Sequence, residues 1–117
     1  MTDRLAKLVA LKEAVKAGEW VTAGDGTDTW LIVFDAGLRP HHDNIKAAFH
    51  DDNEAALALL AALLPEWVIW NAQKSVFGYE AGITNGPLSS NGVSKISIAR
   101  ALVLAILSAL IERERQP

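Results

Sequence analysis

The first hydrophobic pattern in the chain is helical. Its apolar positions are spaced three or four residues apart, as on one face of an α-helix, and are Leu5, Leu8, Val9, Leu11 and Val15. Gly18 follows at the position where a glycine often ends a helix. The segment therefore predicts an amphipathic helix that stops before Gly18.

The next apolar stretch, 28–36, is compatible with two structures. Thr27 or Asp28 can cap a short helix that ends at Gly37. The run 31–33, which contains the β-branched residues Ile32 and Val33, favours a strand instead, and periodicity in so short a stretch does not distinguish the two. We favour the helix, and both alternatives stay open.

Two further helices are predicted upstream of Pro65. Asp43 can cap a helix that runs through Phe49. The acidic cluster 51–54 places a glutamate three residues after an aspartate, which is a capping-box pattern, directly before the alanine- and leucine-rich run 55–64. Proline cannot continue that helix comfortably, so the helix is expected to end before Pro65.

Strand-forming residues dominate the part of the chain after these helices. Trp67–Trp70 and Ser75–Tyr79 are rich in aromatic and β-branched residues, which indicates two strands. Asn71–Lys74 lies between them and predicts the hairpin connection. The following segment, Gly82–Gly92, contains glycine, proline, asparagine and serine residues and predicts a long loop.

The last helix is apolar on nearly every face. Ser97 can cap it, and it is expected to run from Ile98 to about Glu114. Such a helix must be covered on all sides, which predicts a sheet on one side and helices or a second subunit on the other. The expected fold class is α+β, with a short antiparallel β segment (a hairpin or small sheet) on a long apolar C-terminal helix and an upstream helical half. We also expect a homodimer or higher homo-oligomer.

Composition limits the function classes. A length of 117 residues fits one domain over 1–117, and a net charge of −3 disfavours binding to duplex nucleic acid. The chain has no cysteine, and its start lacks the pattern of a signal peptide. Its longest apolar run is shorter than the roughly 20 residues of a membrane span. We therefore expect a cytoplasmic protein that does not associate with membranes.

No catalytic or cofactor motif stands out. The histidines at 41, 42 and 50 lack the spacing of a metal site. Gly24-Asp25-Gly26 has Thr29 where a dinucleotide-binding fingerprint has its third glycine, and no Gly-x-Ser-x-Gly motif occurs. We expect a protein that is not an enzyme and that holds no metal or cofactor.

Several residues are candidates for ligand binding. Arg100 lies in the first turn of the last helix, where a cation is unfavourable for the helix dipole, so it is a candidate contact for an anion together with Ser97 at the helix start. Trp70 and Tyr79 can offer aromatic surfaces. Asn91 lies in the predicted loop nearby. These five residues predict a site for a small anionic or nucleotide-like ligand.

Two segments resemble those of small phage and prophage proteins. The run 55–59 followed by Leu63–Trp67 resembles an alanine/leucine helix that ends in a Leu-Pro-Gly-Trp or Pro-Glu-Gly-Trp turn. The segment 97–102 resembles the start of their final helix, Thr-Pro-Ala-Arg-Ala-Leu. On these residues, which cover about half of the chain, the protein is similar to the phage ABA sandwich domain.

This resemblance implies an α–β–α arrangement of mostly unknown function and no catalytic residues. The sequence departs from the family pattern at three positions: Glu66 replaces a glycine, Trp70 falls one place late, and Ile98 replaces a proline. The first function hypothesis is a non-catalytic phage accessory protein that binds a small ligand, for example a sponge for a nucleotide-derived host defence signal. The alternative is an interaction module that binds a bacterial host protein through exposed aromatic residues.

Overall fold

The structure is a computed structural model and describes residues 3–17, 33 and 36–115. The elements in this part of the chain are α1 (Asp3–Ala17), a 3₁₀ turn (Arg39–His41), α2 (His42–Phe49), α3 (Asn53–Leu63), β1 (Val68–Ser75), β2 (Gly78–Thr84), β3 (Ser89–Ser94) and α4 (Ile98–Arg115). The strands form one antiparallel sheet in the order β1-β2-β3, and α4 packs against it. The expected α+β class is confirmed.

Helix α1 matches the predicted amphipathic pattern. Leu5, Leu8, Leu11 and Val15 are buried, and α1 packs along α4. The predicted terminator Gly18 lies outside the described residues.

Most of the stretch 28–36, for which helix and strand were both open, also lies outside the described residues. At its end, Val33 is helical and its carbonyl accepts from the amide of Leu38 at 2.9 Å. Gly37 has a φ of 75°, which is the backbone conformation in which a glycine commonly ends a helix. The described end of this stretch is therefore a helix terminus.

Asp43 does not cap α2, contrary to prediction. The 3₁₀ turn that contains Pro40 starts the helical region earlier, so His41 occupies the N-cap position without a side-chain hydrogen bond. Asp43 lies inside the first turn, where its negative charge still favours the helix dipole.

The junction between α2 and α3 differs from the predicted capping box. Asp51 has a φ of 75° and ends α2. Its amide donates to the carbonyl of Ala48, and the amide of Asp52 donates to the carbonyl of Ala47. The N-cap of α3 is Asp52, whose Oδ1 accepts from the amide of Ala55 at 3.1 Å. The predicted pairing of Asp51 with Glu54 is wrong because only three residues join the helices and Asp51 is needed to end the first one.

The hairpin turn lies further along the chain than predicted. Asn71–Lys74 belongs to the continuous strand β1 and pairs with β2 from Tyr79 to Gly82, so the predicted connection there is wrong. The turn is Val76–Phe77, which the Oγ of Ser75 stabilises by accepting from the amide of Phe77 at 3.2 Å.

The segment predicted as a long loop is mostly strand. Its first part completes β2 and its last part belongs to β3, which leaves a short turn at Asn85–Leu88. Oδ1 of Asn85 accepts from the amide of Leu88 at 3.0 Å, and Oγ1 of Thr84 donates to the carbonyl of Leu88 at 2.7 Å. Two of the residues that suggested a loop, Ser90 and Gly92, lie instead at the contact with α4.

Small residues let β3 approach α4 closely. A Cβ added to Gly92 would collide with the carbonyl oxygen of Ala101 and would lie 2.6 Å from the amide nitrogen of Ala105. Oγ of Ser90 donates to the carbonyl of Ala105 at 2.8 Å. Any side chain at Gly92 would push the strand off the helix, and at position 90 the serine is small enough to donate to α4.

Helix α4 is the centre of the core, as its apolar sequence predicts. The run from Ala101 to Leu107 is buried without interruption, and β2, β3, α1, α2 and α3 all pack on α4. Ser97 caps it, since its Oγ accepts from the amide of Arg100 at 3.2 Å. The chain itself covers this helix, so its apolar character no longer calls for a second subunit, and the homodimer stays a prediction.

The sheet has two unlike faces. Ala81, Ile83, Ser90 and Gly92 face α4. The residues that alternate with these four along β2 and β3 point away from α4. The β1 residues that pair with this alternate set point the same way. We call this second side the outer face, and its residues are Val68, Trp70, Asn71, Gln73, Ser75, Gly78, Glu80, Gly82, Thr84, Ser89, Asn91 and Val93.

Trp70 lies at a bulge in β1. The pairing with β2 shifts between Ile69 and Asn71, which leaves Trp70 as the extra residue. Its indole lies across Gly82, so close that a Cβ on that glycine would be 2.7 Å from the ring, and Oδ1 of Asn91 is equally near. The bulge therefore aims the tryptophan over the outer face. Among the helices described, none has the length and apolarity to cross a membrane.

Candidate functional site

A cleft of about 480 Å³ lies where the end of α1, the β1–β2 turn and the β3–α4 connection meet. We call it the hairpin cleft, and its described lining consists of Val15, Lys16, Phe77, Val93, Ser94, Lys95, Ile96, Arg100 and Leu104. Its volume is within the usual range of small-ligand sites, and apolar walls with a few polar groups are typical of such sites. The hairpin cleft is the best candidate site in the described part of the molecule.

The charged residues in the described lining of the hairpin cleft are all cationic. Lys16, Lys95 and Arg100 line it, and no carboxylate is among its described lining residues. The chain as a whole carries a net charge of −3, so this cluster of cations opposes the overall balance. A site with this electrostatic character attracts anions.

Phe77 supplies an aromatic surface beside these cations. It is 75% exposed although it is a large apolar residue. The Oγ of Ser75 also donates to the carbonyl of Gly78 at 3.3 Å, which fixes the turn that carries the ring. An aromatic face held at the mouth of a cationic cleft can stack on a planar ring of a ligand.

Arg100 has contacts within the chain, which changes the role predicted for it. Its Nε donates to the carbonyl of Phe49 at 2.7 Å and lies 3.5 Å from Oδ1 of Asp51. Its guanidinium carbon is 4.0 Å from the centre of the Phe49 ring, and the side chain is only 14% exposed. Arg100 therefore joins α4 to the end of α2, and the Asp51 carboxylate offsets part of the charge that this lining residue brings to the cleft.

The other predicted site residues lie elsewhere. Tyr79 and Ser97 line a shallow depression of about 260 Å³, which adjoins the hairpin cleft at Ile96, a lining residue of both. Trp70 and Asn91 lie side by side on the outer face. The structure thus distributes the five predicted residues over three places, and only Arg100 lines the hairpin cleft.

A second cleft of about 470 Å³ lies at the other end of α4. Leu64, Trp67 and Leu88 form its apolar wall, while Glu112 and Arg113 form its charged rim. Because the rim charges are opposite, it lacks the uniform sign of the hairpin cleft.

The histidines lie apart from the hairpin cleft. His42 is buried, with Nδ1 3.6 Å from Oδ1 of Asp43, and His50 is exposed with its ring edge-on to Phe49. Across residues 3–17, 33 and 36–115, no three acidic or histidine side chains converge in a way that would hold a metal ion.

Sequence reasoning missed Lys16, Phe77 and Lys95. A sequence signal existed for two of them. Phe77 precedes Gly78, whose φ of 123° suits a turn, and Lys95 lies between strand and helix just before the capping Ser97. A prediction that placed the hairpin turn at Val76–Phe77 would also have predicted that Phe77 is exposed.

Comparison of the chain with protein-family models, with curated proteins and with solved structures gave no match.

Proposed function

We propose that the protein is a non-catalytic binder of a small anionic ligand with an aromatic ring, of which nucleotides are the model, and that the hairpin cleft is its site. The observation that carries the proposal is the combination of Lys16, Lys95 and Arg100 with the exposed ring of Phe77 in one cleft. The phosphate groups of a nucleotide can form charge-assisted hydrogen bonds with the cations, and its base can stack on the ring of Phe77.

The biological setting of the proposal comes from the resemblance stated above. The segments Leu63–Trp67 and 97–102 support a phage-type accessory protein. In that setting the protein sequesters a nucleotide-derived host defence signal in the cytoplasm of the bacterial host, where such nucleotides are made. Sequestration requires only binding, so it agrees with the proposed lack of catalysis.

Calorimetric titration with mono-, di- and cyclic nucleotides tests the proposal, with inorganic phosphate as a separate arm. Lys95→Gln and Phe77→Ala should each weaken nucleotide binding about tenfold, which corresponds to about 1.4 kcal/mol. Lys46→Gln is the matched control, since Lys46 is exposed on α2 and lies outside the described lining of the cleft. Absence of nucleotide binding, or equal affinity in all variants, would refute the proposal.

Recovery of the ligand separates a sponge from an enzyme. After incubation with the protein, nucleotide released by unfolding should be chemically intact when it is analysed by chromatography. Conversion of the nucleotide would contradict the non-catalytic part of the proposal.

The exposure of Val76 favours the alternative function, an interaction module that binds a host protein. This turn residue is 94% exposed and lies outside the described lining of the hairpin cleft. Val76→Ser should therefore leave nucleotide affinity unchanged if the ligand hypothesis is correct. If the protein acts through a host partner instead, the same variant should weaken that complex.

A further inference from the structure

The second cleft, at the far end of α4 from the hairpin cleft, has apolar walls. Leu64 and Ala109 are buried, and Trp67 is partly buried against the core. Leu88 adds an exposed apolar side chain from the turn between β2 and β3. The volume of about 470 Å³ is within the range of small-molecule sites, which combine apolar walls with a few polar groups. The body of a ligand that fits this cleft is therefore hydrocarbon.

The two charged residues at the rim of the second cleft are not equivalent. Oε1 of Glu112 lies 3.0 Å from Nη1 of Arg115, so this carboxylate is already paired within α4. Arg113 is exposed, and within the part of the chain that the structure describes its guanidinium makes no hydrogen bond or ion pair. The charge that the rim can offer to a ligand is therefore that of the guanidinium.

Asn85 adds hydrogen-bond donors to the same rim. Its Oδ1 accepts from the amide of Leu88 at 3.0 Å, and among the described residues its Nδ2 has no acceptor. Both the side-chain amide and the guanidinium of Arg113 thus present N–H groups to a ligand. A guanidinium pairs with a carboxylate through two parallel hydrogen bonds. The polar part of a ligand that fits this rim is therefore an anionic acceptor.

We propose that the second cleft is a separate binding site for an apolar monocarboxylate, a small molecule with a hydrocarbon body and one carboxylate group. The body lies against Trp67 and Leu88, and Arg113 holds the carboxylate at the rim. A nucleotide fits this cleft less well, because its several negative charges would meet one unpaired cation beside Glu112. The described linings of the two clefts share no residue, so the proposal does not depend on the hairpin cleft.

Calorimetric titration with octanoate, octanol and octylammonium tests this inference, because the three ligands share one hydrocarbon body and differ in charge. Octanoate should bind about tenfold more tightly than octanol, since a charge-assisted hydrogen bond contributes an effect of this size. Octylammonium should bind least well, because it meets the guanidinium. Arg113→Gln should reduce the affinity for octanoate to that for octanol, whereas Leu88→Ala should weaken the binding of both by a similar factor.

Lys95→Gln is the matched control, because it removes an exposed cation from the other cleft and should leave the affinity for octanoate unchanged. Arg113→Gln should in turn leave nucleotide affinity unchanged. Heteronuclear NMR locates the ligand on the wild-type protein. Octanoate should shift the indole N–H resonance of Trp67, assigned by its loss in Trp67→Phe, and should leave that of Trp70 in place, since Trp70 lies on the outer face.

Equal melting temperatures of the variants establish that each is folded, and the ligand preference and the NMR shift test the site on the wild type even if a variant unfolds. Absence of binding at millimolar octanoate, or equal affinity for the three ligands, overturns the inference. So does an octanoate affinity that survives Arg113→Gln or falls in Lys95→Gln. None of these results involves a nucleotide, so failure of this proposal is distinguishable from failure of the proposed function.

Discussion

Arg100 and Phe49 join the first turn of α4 to the last turn of α2 through two contacts at once. The guanidinium donates to the carbonyl of Phe49 at 2.7 Å and also lies over its ring, with 4.0 Å between the guanidinium carbon and the ring centre. The carbonyl belongs to the last turn of α2, where backbone acceptors lack helical partners. A cation at this end of a helix is also favourable for the dipole of α2.

We expect Arg100→Met to lower the free energy of unfolding by about 2 kcal/mol, because it removes a charge-assisted hydrogen bond and a cation–π contact. The measurement is urea denaturation followed by circular dichroism. In a double-mutant cycle with Phe49→Leu, a coupling of about 1 kcal/mol would report the ring contact. Additive effects of the two substitutions would contradict that contact.

This double role makes Arg100 a poor probe of ligand binding. A loss of affinity in an Arg100 variant would mix the loss of charge in the cleft with movement of α2. Lys95 is exposed and has no such link, so its substitution reports on binding alone.

Gly92→Ala should destabilise the protein by at least about 3 kcal/mol, because the new Cβ would collide with the backbone of α4. Gly82→Ala is the matched comparison on the other face, where the new Cβ meets the movable side chains of Trp70 and Asn91. We expect it to cost about 1 kcal/mol. Thermal and urea unfolding of both variants measure the difference, and a similar cost at the two glycines would contradict the close approach of β3 to α4.

Substitutions at Asp51 test the left-handed backbone conformation that ends α2. Asp51→Gly and Asp51→Ala both remove the carboxylate near Arg100, so their difference isolates the backbone conformation. The glycine variant should be about 1 kcal/mol more stable than the alanine variant, since L-residues are strained at a φ of 75°. Equal denaturation midpoints would argue against this backbone conformation.

Ligand binding in the hairpin cleft should depend on salt. Because Lys16 and Lys95 are exposed cations of the cleft, raising the salt concentration should weaken nucleotide binding, by about tenfold when the Debye length falls from about 30 Å to about 3 Å. Lys95→Gln should reduce this dependence. A salt-independent affinity would show that the cations do not carry the binding.

The helices were the most predictable part of the fold. Pro65 follows the end of α3, and Ser97 caps the start of α4. The apolar run of α4 is also longer than an ordinary strand. The identity of the N-cap was less predictable. Asp51 and Asp52 are both suitable residues, and only the short connection between α2 and α3 decides which of them closes one helix and which begins the next.

The sheet was less predictable because long-range contacts override local preference. Asn71–Lys74 has the composition of a turn but lies in a strand, where β2 supplies its partners. Val76–Phe77 has the composition of a strand but forms the turn. Ser90 and Gly92 look like loop residues because their small size, which the contact with α4 requires, is also what loops favour.

The site could be predicted only in part for a similar reason. Lys16, Phe77 and Lys95 come from three segments that are distant in sequence, and each is an ordinary surface residue when considered alone. Arg100 was singled out because a cation in the first turn of a helix is unusual. That signal pointed to a real acceptor, but the acceptor is the carbonyl of Phe49 within the same chain.

The bulge at Trp70 also affects how the protein behaves when it is concentrated. β1 is an edge strand of the described sheet, and a flat, regular edge can be extended by a strand from another molecule. The bulge twists β1 out of the regular geometry that such an extension requires, and Lys74 adds a charge to the strand. Growth of fibrous aggregates through this edge is thereby opposed.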